Sequence, residues 1–338
     1  MAVLTDPSLN PSFFTVLSFF SFLLPLIPLT WHFQAWNSGC FFYMAWASLL
    51  GLVNFVNSVV WAGTVQDVSP VWCDISTHAN LAGTFGTILS AQTIIRRLYI
   101  IASARSPLTH TESRRALIED TIPCVVIPVI FVALQYVVQD HRYAIYEEFG
   151  CLPSTYRTLA SELMIDLPPV LTGIVIAYFD VRCLLILIHD HEELKDFFAS
   201  INAGSFLSNR FIPIVAFTIV EVIITFPTTL FDFVLNITTG LQPWGNWNHV
   251  HASFSVIPVF PSTVWMVGDK SAIASLLMDQ WSNSICGVLI FLLFGTTEEA
   301  RRHYSMAFWR LFRRREPLSR TTISDKRYAY TRLKRITN

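Results

Sequence analysis

Charge is what this sequence has least of. Asp, Glu, Lys and Arg make up 14% of its 338 residues, where a soluble chain carries roughly 25%. From Pro7 to Gln66 there is none at all. A domain facing water cannot leave that much chain uncharged, and the stretch is long enough for two membrane crossings of about 20 residues each. No basic segment precedes the first apolar run and no small-residue cleavage site follows it, so the first helix is expected to serve as its own insertion signal. The short alternating segments that build a membrane β-barrel are also missing.

Other scarcities exclude functions. The lysines are Lys195, Lys270, Lys326 and Lys334, and none lies midway along the last apolar run, where a retinal Schiff base needs one. Internal repeats are absent and Glu221 reads as the only carboxylate near the bilayer centre, which argues against a transporter or proton pump. Most histidines fall in loops or at span ends, so an intramembrane zinc hydrolase is not expected. The pairs His189/His191 and His249/His251 have metal-site spacing but no third ligand in view, so neither a metal nor any other cofactor is expected. What remains is a signal-transducing receptor rather than an enzyme.

Seven apolar runs meet the spanning length, and the expected fold is an all-α bundle of seven transmembrane helices. They are Phe13–Phe33, Cys40–Trp61, Cys73–Ile95, Ile118–Val138, Leu163–Ile188, Phe211–Leu235 and Ala272–Phe294. Val250–Gly268 is uncharged too, but His251, Pro258, Pro261 and its serines make it a poor eighth. With seven spans and the N-terminus outside, twenty of the 23 basic residues fall in cytosolic segments, leaving Arg142, Arg157 and Lys270 outside. An eighth span would send the twelve basic residues beyond Thr297 to the exterior, against the positive-inside rule. The expected organisation is a bundle over residues 1–296 and a cytosolic tail over 297–338. In that tail Glu298 to Arg315 reads as an amphipathic helix on anionic lipid, with Tyr304, Phe308, Leu311 and Phe312 opposite Arg301, Arg302, Arg310 and Arg313. Ser319, Thr321, Thr322 and Ser324 follow among arginines, where phosphorylation would weaken that attraction.

Of six cysteines, Cys40, Cys124, Cys183 and Cys286 fall within or at the inner ends of spans. Cys73 and Cys151 reach the oxidising side, either as a disulfide pinning the loop between helices four and five, or as two unpaired thiols. Asn236-Ile-Thr238 is a glycosylation sequon placed close to the end of helix six. The loops on that side are rich in aromatics, and the long uncharged segment Phe233–Gly268 suggests an apolar lid or groove beyond the usual interfacial belt. Inside the membrane, Glu221 and Asp232 return to nearly the same face of helix six, with Pro227 between them. They read as a ligand contact or switch hinge, or else as a structural network with Asn54 and Asn57. Asp166 and Asp180, near the ends of helix five, read as solvated caps.

The residues resemble those of a known family. Pro28-Leu-Thr-Trp-His32 with Asn37, then Trp46, Asn54, Asn57 and Trp61, resemble helices one and two of the fungal lipopeptide mating-pheromone receptors, the class D G-protein-coupled receptors. Val71-Trp-Cys-Asp-Ile75, Arg96-Arg-Leu-Tyr99, Trp247-Asn-His-Val-His251 with Phe254-Ser255, and Leu293-Phe-Gly295, Glu299-Ala300 and Tyr304 follow in order. The match covers nearly the whole bundle and looks most like basidiomycete members. Helix three departs in carrying no proline between Gly83 and Ile95. The resemblance implies a plasma-membrane receptor for a farnesylated, methyl-esterified peptide pheromone, acting on a heterotrimeric G protein. It implies no nucleic-acid partner and leaves a homodimer open. The implied ligand residues are Glu221, Asp232, Trp244, Trp247, His249, His251 and Phe254, with Pro227 as hinge. Arg96, Arg97, Tyr99, Arg105, Arg114, Arg115 and Arg210 would face the G protein. The outer acids Asp6, Asp67, Asp140, Glu147, Glu148 and Asp269 would repel a free peptide C-terminus.

Overall fold

Segments that lie in hydrocarbon must satisfy their own backbone, and this chain does so with helices. The computed structural model describes residues 11–34, 38–104, 110–190, 193 and 212–311. Seven long helices appear among them: α1 Pro11–Gln34, α2 Ser38–Val60, α3 Pro70–Ala104, α4 over residues 110–138, α5 Leu159–His189, α6 Ile212–Thr238 and α7 Lys270–Phe294. All but α3 are apolar enough along a membrane-length stretch to cross by composition alone. The chain divides into two compact units, Met1–Thr296 and Thr297–Asn338.

The exception explains itself through packing. α3 has 35 residues, which at 1.5 Å each is about 50 Å, and it touches α2, α4, α5 and α6. Its polar side chains are turned inward and bond back to their own helix. Thr77 Oγ1 donates to the Cys73 carbonyl (2.8 Å), Ser90 Oγ to Gly86 (2.6 Å) and Thr93 Oγ1 to Leu89 (2.9 Å). A central helix can therefore be polar without orphaned groups. It is also longer than the Cys73–Ile95 expected, because hydropathy stops counting where its polar ends begin.

Close approaches fix the neighbours. A Cβ on Gly51 of α2 would stand 2.5 Å from the backbone nitrogen of Phe22 in α1, so only glycine allows this contact. In α4 the helix widens to a π turn over Ile122–Val126. Pro128 has no N–H to offer, and the Cys124 carbonyl one turn back is taken by the Trp46 indole of α2 at 2.8 Å. Cys40, Tyr43, Met44, Ile94, Ile95, Ile176, Phe217, Ile290 and Phe294 fill the main core.

One end of the bundle carries a small sheet. β1 (Ala144–Tyr146) pairs antiparallel with β2 (Gly150–Leu152) and parallel with β3 (Val259–Phe260). Cys73 at the start of α3 is bonded to Cys151 in β2. Gly150 has φ +71°, and a Cβ there would meet Asn57 at 2.8 Å, so the hairpin lies flat on α2. Segment 250–268, uncharged but no span, supplies β3 and the single helical turn Ser262–Trp265. In the second unit α8 covers Glu298–Leu311, and the remainder of the helix expected to Arg315 lies outside the described residues. Thr297 opens it by accepting the Ala300 N–H on its hydroxyl at 3.3 Å. The expected modification positions Ser319, Thr321, Thr322 and Ser324 lie outside the described residues.

Candidate functional site

The cap formed by the sheet uses its carboxylates as fasteners. Arg142 donates Nε to Asp74 Oδ1 at 2.7 Å and pairs its second nitrogen with the other oxygen. This holds the Arg142 guanidinium above its ordinary pKa. Tyr143 donates to Asp67 at 3.0 Å, and burial together with that carboxylate pushes its hydroxyl up to about 12. Asp140 accepts from Ser154 (2.6 Å), Glu148 from the Gly63 N–H (3.1 Å), and Asp269 caps α7 at Ala272 (3.1 Å). Glu147 takes the Ser262 N–H. The acids expected to give this face a repelling field are therefore bound into loop contacts, and Asp6 lies outside the described residues.

Beneath the cap a different set of carboxylates lines the seam of α5, α6 and α7. α5 begins with a capping box, Thr158 and Ser161 exchanging side-chain and backbone bonds, followed by a π turn over Glu162–Asp166. That turn presents Glu162 and Asp166 to one another and Asp166 to Asp232 of α6. Asp232 accepts from Ser275 of α7 at 2.5 Å and lies within electrostatic reach of Asp279. Asn236, the sequon residue, turns its amide to Asp166 at 3.5 Å from within α6. Asp166 is thus no solvated cap, and Asp279 shows that Glu221 is not the only carboxylate at depth. Arg157, exposed and bonded to Thr239 at 3.3 Å, is the basic group that acts on Glu162.

Farther in, Glu221 is 1% exposed and neither carboxylate oxygen has a hydrogen-bond partner. It lies near Tyr43, Cys286 and Asp180. The network with Asn54 and Asn57 does not form: Asn54 donates to Ser284 (3.4 Å), while Asn57 accepts from the Trp72 indole (2.8 Å) and donates to the Cys151 carbonyl (3.3 Å). Asp180 is buried and accepts from Thr218 of α6 at 2.6 Å, which again is not a solvated cap. Pro227 lies one to two turns from Glu221 within an unbroken α6.

The aromatic residues separate into two groups. Trp244 packs against the cluster of Phe85, Leu89, Phe131, Val138 and Ile165, the last of which belongs to the π turn of α5. Trp247 and His251 stack at 4.0 Å and, with Phe254, surround Tyr136 at the end of α4. His251 Nε2 meets the Tyr136 carbonyl at 3.0 Å, and His249 Nε2 meets Tyr156 Oη at 3.1 Å. These rings clasp the cap to α4, while Trp244 borders the carboxylate seam.

At the opposite end the two adjacent arginines differ. Arg97 pairs with Asp120 of α4 and donates to Ser38 of α2 at 3.0 Å, while Arg96 is exposed. Arg182 reaches Tyr99 Oη at 3.4 Å. Arg115 forms an exposed ion pair with Glu119 at 2.7 Å. Arg105 and Arg210 lie outside the described residues, as does the side chain of Arg114.

The profile of the pheromone A receptor family matches residues 13–313, which takes in every helix just described. The chain belongs to the pheromone A receptor family. It is therefore a multi-pass membrane receptor by family, not an enzyme. It is 36% identical over 306 residues to the pheromone B alpha 3 receptor of Schizophyllum commune, covering 89% of this chain and 48% of that protein. To pheromone receptor 1 of Mycosarcoma maydis it is 28% identical over 300 residues, covering 88% and 83%. The pheromone a factor receptor of Saccharomyces cerevisiae shares 22% over 282 residues, covering 82% and 57%. The chain spans about half the length of the Schizophyllum receptors it matches. Sequence reasoning missed Glu162 and Asp279 of this receptor's seam; a carboxylate at the tenth position of the span α7 was the available signal for the second.

Proposed function

We propose that this chain senses a farnesylated, methyl-esterified peptide pheromone and activates a heterotrimeric G protein, with the sheet-bearing face outside the cell and the arginine-rich face in the cytosol. The observation that carries the reading is a long-helix bundle of this family, clasped at one end by a disulfide-bonded cap over a polar seam. The basic residues favour the orientation, since they concentrate on the opposite end and in the tail. Ligand entering beneath the cap would meet Trp244, Asp232 and, deeper, Glu221. The rings of Trp247, His249, His251 and Phe254 would hold the cap over it. Pro227 leaves α6 one backbone bond short, so it is the point about which the inner end of α6 would swing. Arg96, with Arg97, Tyr99, Arg105, Arg114, Arg115 and Arg210, would then contact the G protein.

The test is nucleotide exchange on a G protein in membranes from yeast cells expressing the chain, titrated with farnesylated methyl-ester peptides and unfarnesylated controls. A saturable response that needs the farnesyl group is the expected outcome. Surface-exposed protein that answers none of the peptides would overturn the reading and direct the next assay to ion flux.

A further inference from the structure

A buried carboxylate with no donor in reach is among the costliest groups a fold can carry. Glu162 is such a group: it is 1% exposed and neither oxygen has a hydrogen-bond partner. Facing it are the Asp166 carboxyl group and the exposed Arg157, which acts on it without forming an ion pair. Asp166, Asp232 and Asp279 complete the group, each half-buried among the helices. No ion pair reaches any of the four among the described residues. Asp166, Asp232 and Asp279 each have one N–H or O–H partner, in Asn236, Ser275 and Gln280, so Glu162 alone of the four meets none.

The four lie at different depths. Glu162 and Asp166 are three and seven residues into α5, Asp232 six residues from the end of α6, and Asp279 nine into α7. At 1.5 Å per residue these lie about 5, 10, 9 and 13 Å from the helix ends. A ladder of separated acceptors suits a group whose own donors are spread out, such as a guanidinium or an ammonium on a flexible stem. No three of the described His, Cys, Asp or Glu side chains converge as a metal ion requires. Trp244 packs on the cluster that includes Ile165 of the same π turn, and an aromatic ring there favours an organic cation further. Arg157 at the mouth is the protein's own weak substitute.

We propose that Glu162, Asp166, Asp232 and Asp279 form a subsite for an organic cation, a guanidinium or primary ammonium, carried by the peptide ligand; this deepens the receptor reading and rests on it. The site selects peptides bearing a basic group near the segment that passes under the cap.

Two measurements keep the two readings apart. The first uses the purified full chain in detergent, titrated with N-acetyl-arginine amide and its uncharged isostere N-acetyl-citrulline amide, read by thermal unfolding. A saturable rise in Tm with the arginine compound alone is expected, with apparent affinity at least tenfold weaker in the Asp166→Asn/Asp232→Asn variant. Equal shifts from both compounds, or an unchanged affinity in the variant, would overturn the subsite and leave the carboxylates to protons. If the double variant does not fold, the arginine–citrulline contrast on the native chain and on Glu162→Gln decides. The second compares farnesylated peptides with and without one basic side chain in the exchange assay, where a tenfold or larger difference in half-maximal concentration is expected. A cation effect on Tm without any peptide response sinks the pheromone reading and keeps the subsite. A peptide response indifferent to charge does the reverse.

Discussion

The cap and the seam beneath it contain similar numbers of carboxylates and use them in opposite ways. Asp67, Asp74 and Glu148 each meet a donor far away in sequence, and Asp140 meets one 14 positions on. Their charge is consumed in assembling the cap. Glu162, by contrast, meets none, Asp166 and Asp279 meet amides of which the nearer is 3.3 Å away, and only Asp232 has a close donor, the Ser275 hydroxyl. Acid content alone therefore says little about where a charged ligand is received; the distribution of donors decides it.

That contrast can be broken at several points. The largest effect is expected from Cys151→Ser. The disulfide closes 78 residues, which in the chain-entropy treatment corresponds to about 4 kcal/mol, and its loss should release β2 from α3. We expect cell-surface receptor, counted by flow cytometry, to fall severalfold. A variant that keeps native surface levels and Tm would mean the loop contacts suffice alone.

Next come two substitutions of equal chemistry and opposite sign. Asp74→Asn removes the charge that Arg142 needs; the pair is partly exposed, so the expected loss is about 1 kcal/mol after screening. Glu162→Gln removes a buried charge that no donor bonds and supplies donors of its own, so unliganded Tm should stay level or rise. Differential scanning fluorimetry of both variants tests the pair. A fall in both would erase the distinction between cap and seam.

The smallest effect concerns pH. The Tyr143 hydroxyl ionises at about 12, above the 10.0 of an unperturbed tyrosine, so the folded chain holds this proton more tightly than the unfolded one. Its contribution is complete below pH 10 and disappears as pH rises through 12. Tyr143→Phe should flatten that part of the stability profile relative to the native chain. An identical slope in both would show that the bond to Asp67 contributes nothing.

The bundle was largely legible in the sequence because apolar length is a direct physical requirement of hydrocarbon. Six helices agree with that requirement. α3 was legible from Cys73 to Ile95, and Arg96 and Arg97 hide its continuation to Ala104. The cap sheet was not legible. Its strands are two or three residues long, below any period a pattern can carry, and β1 finds β3 across more than 100 positions of sequence. The seam was half legible: Asp232 lies on the same helix as Glu221 and announces itself by spacing. Glu162 and Asp166 sit near a helix end, where acids are usually solvated, and a π turn re-aims them inward. The division of labour between Arg96 and Arg97 depends on Asp120, a residue of another helix.

The indole bond from Trp46 to the Cys124 carbonyl carries a consequence for biogenesis. A nascent chain enters the bilayer from its N-terminal end, so α2 is in place before α4 emerges from the ribosome. When α4 arrives with Pro123 and Pro128 interrupting its ladder, it brings a carbonyl that lipid cannot solvate. The partner for that carbonyl is already waiting on an earlier helix. The order of synthesis and the order of hydrogen bonding then coincide, and a chain permuted to deliver α4 first would present the translocon with a helix that has nowhere to dock.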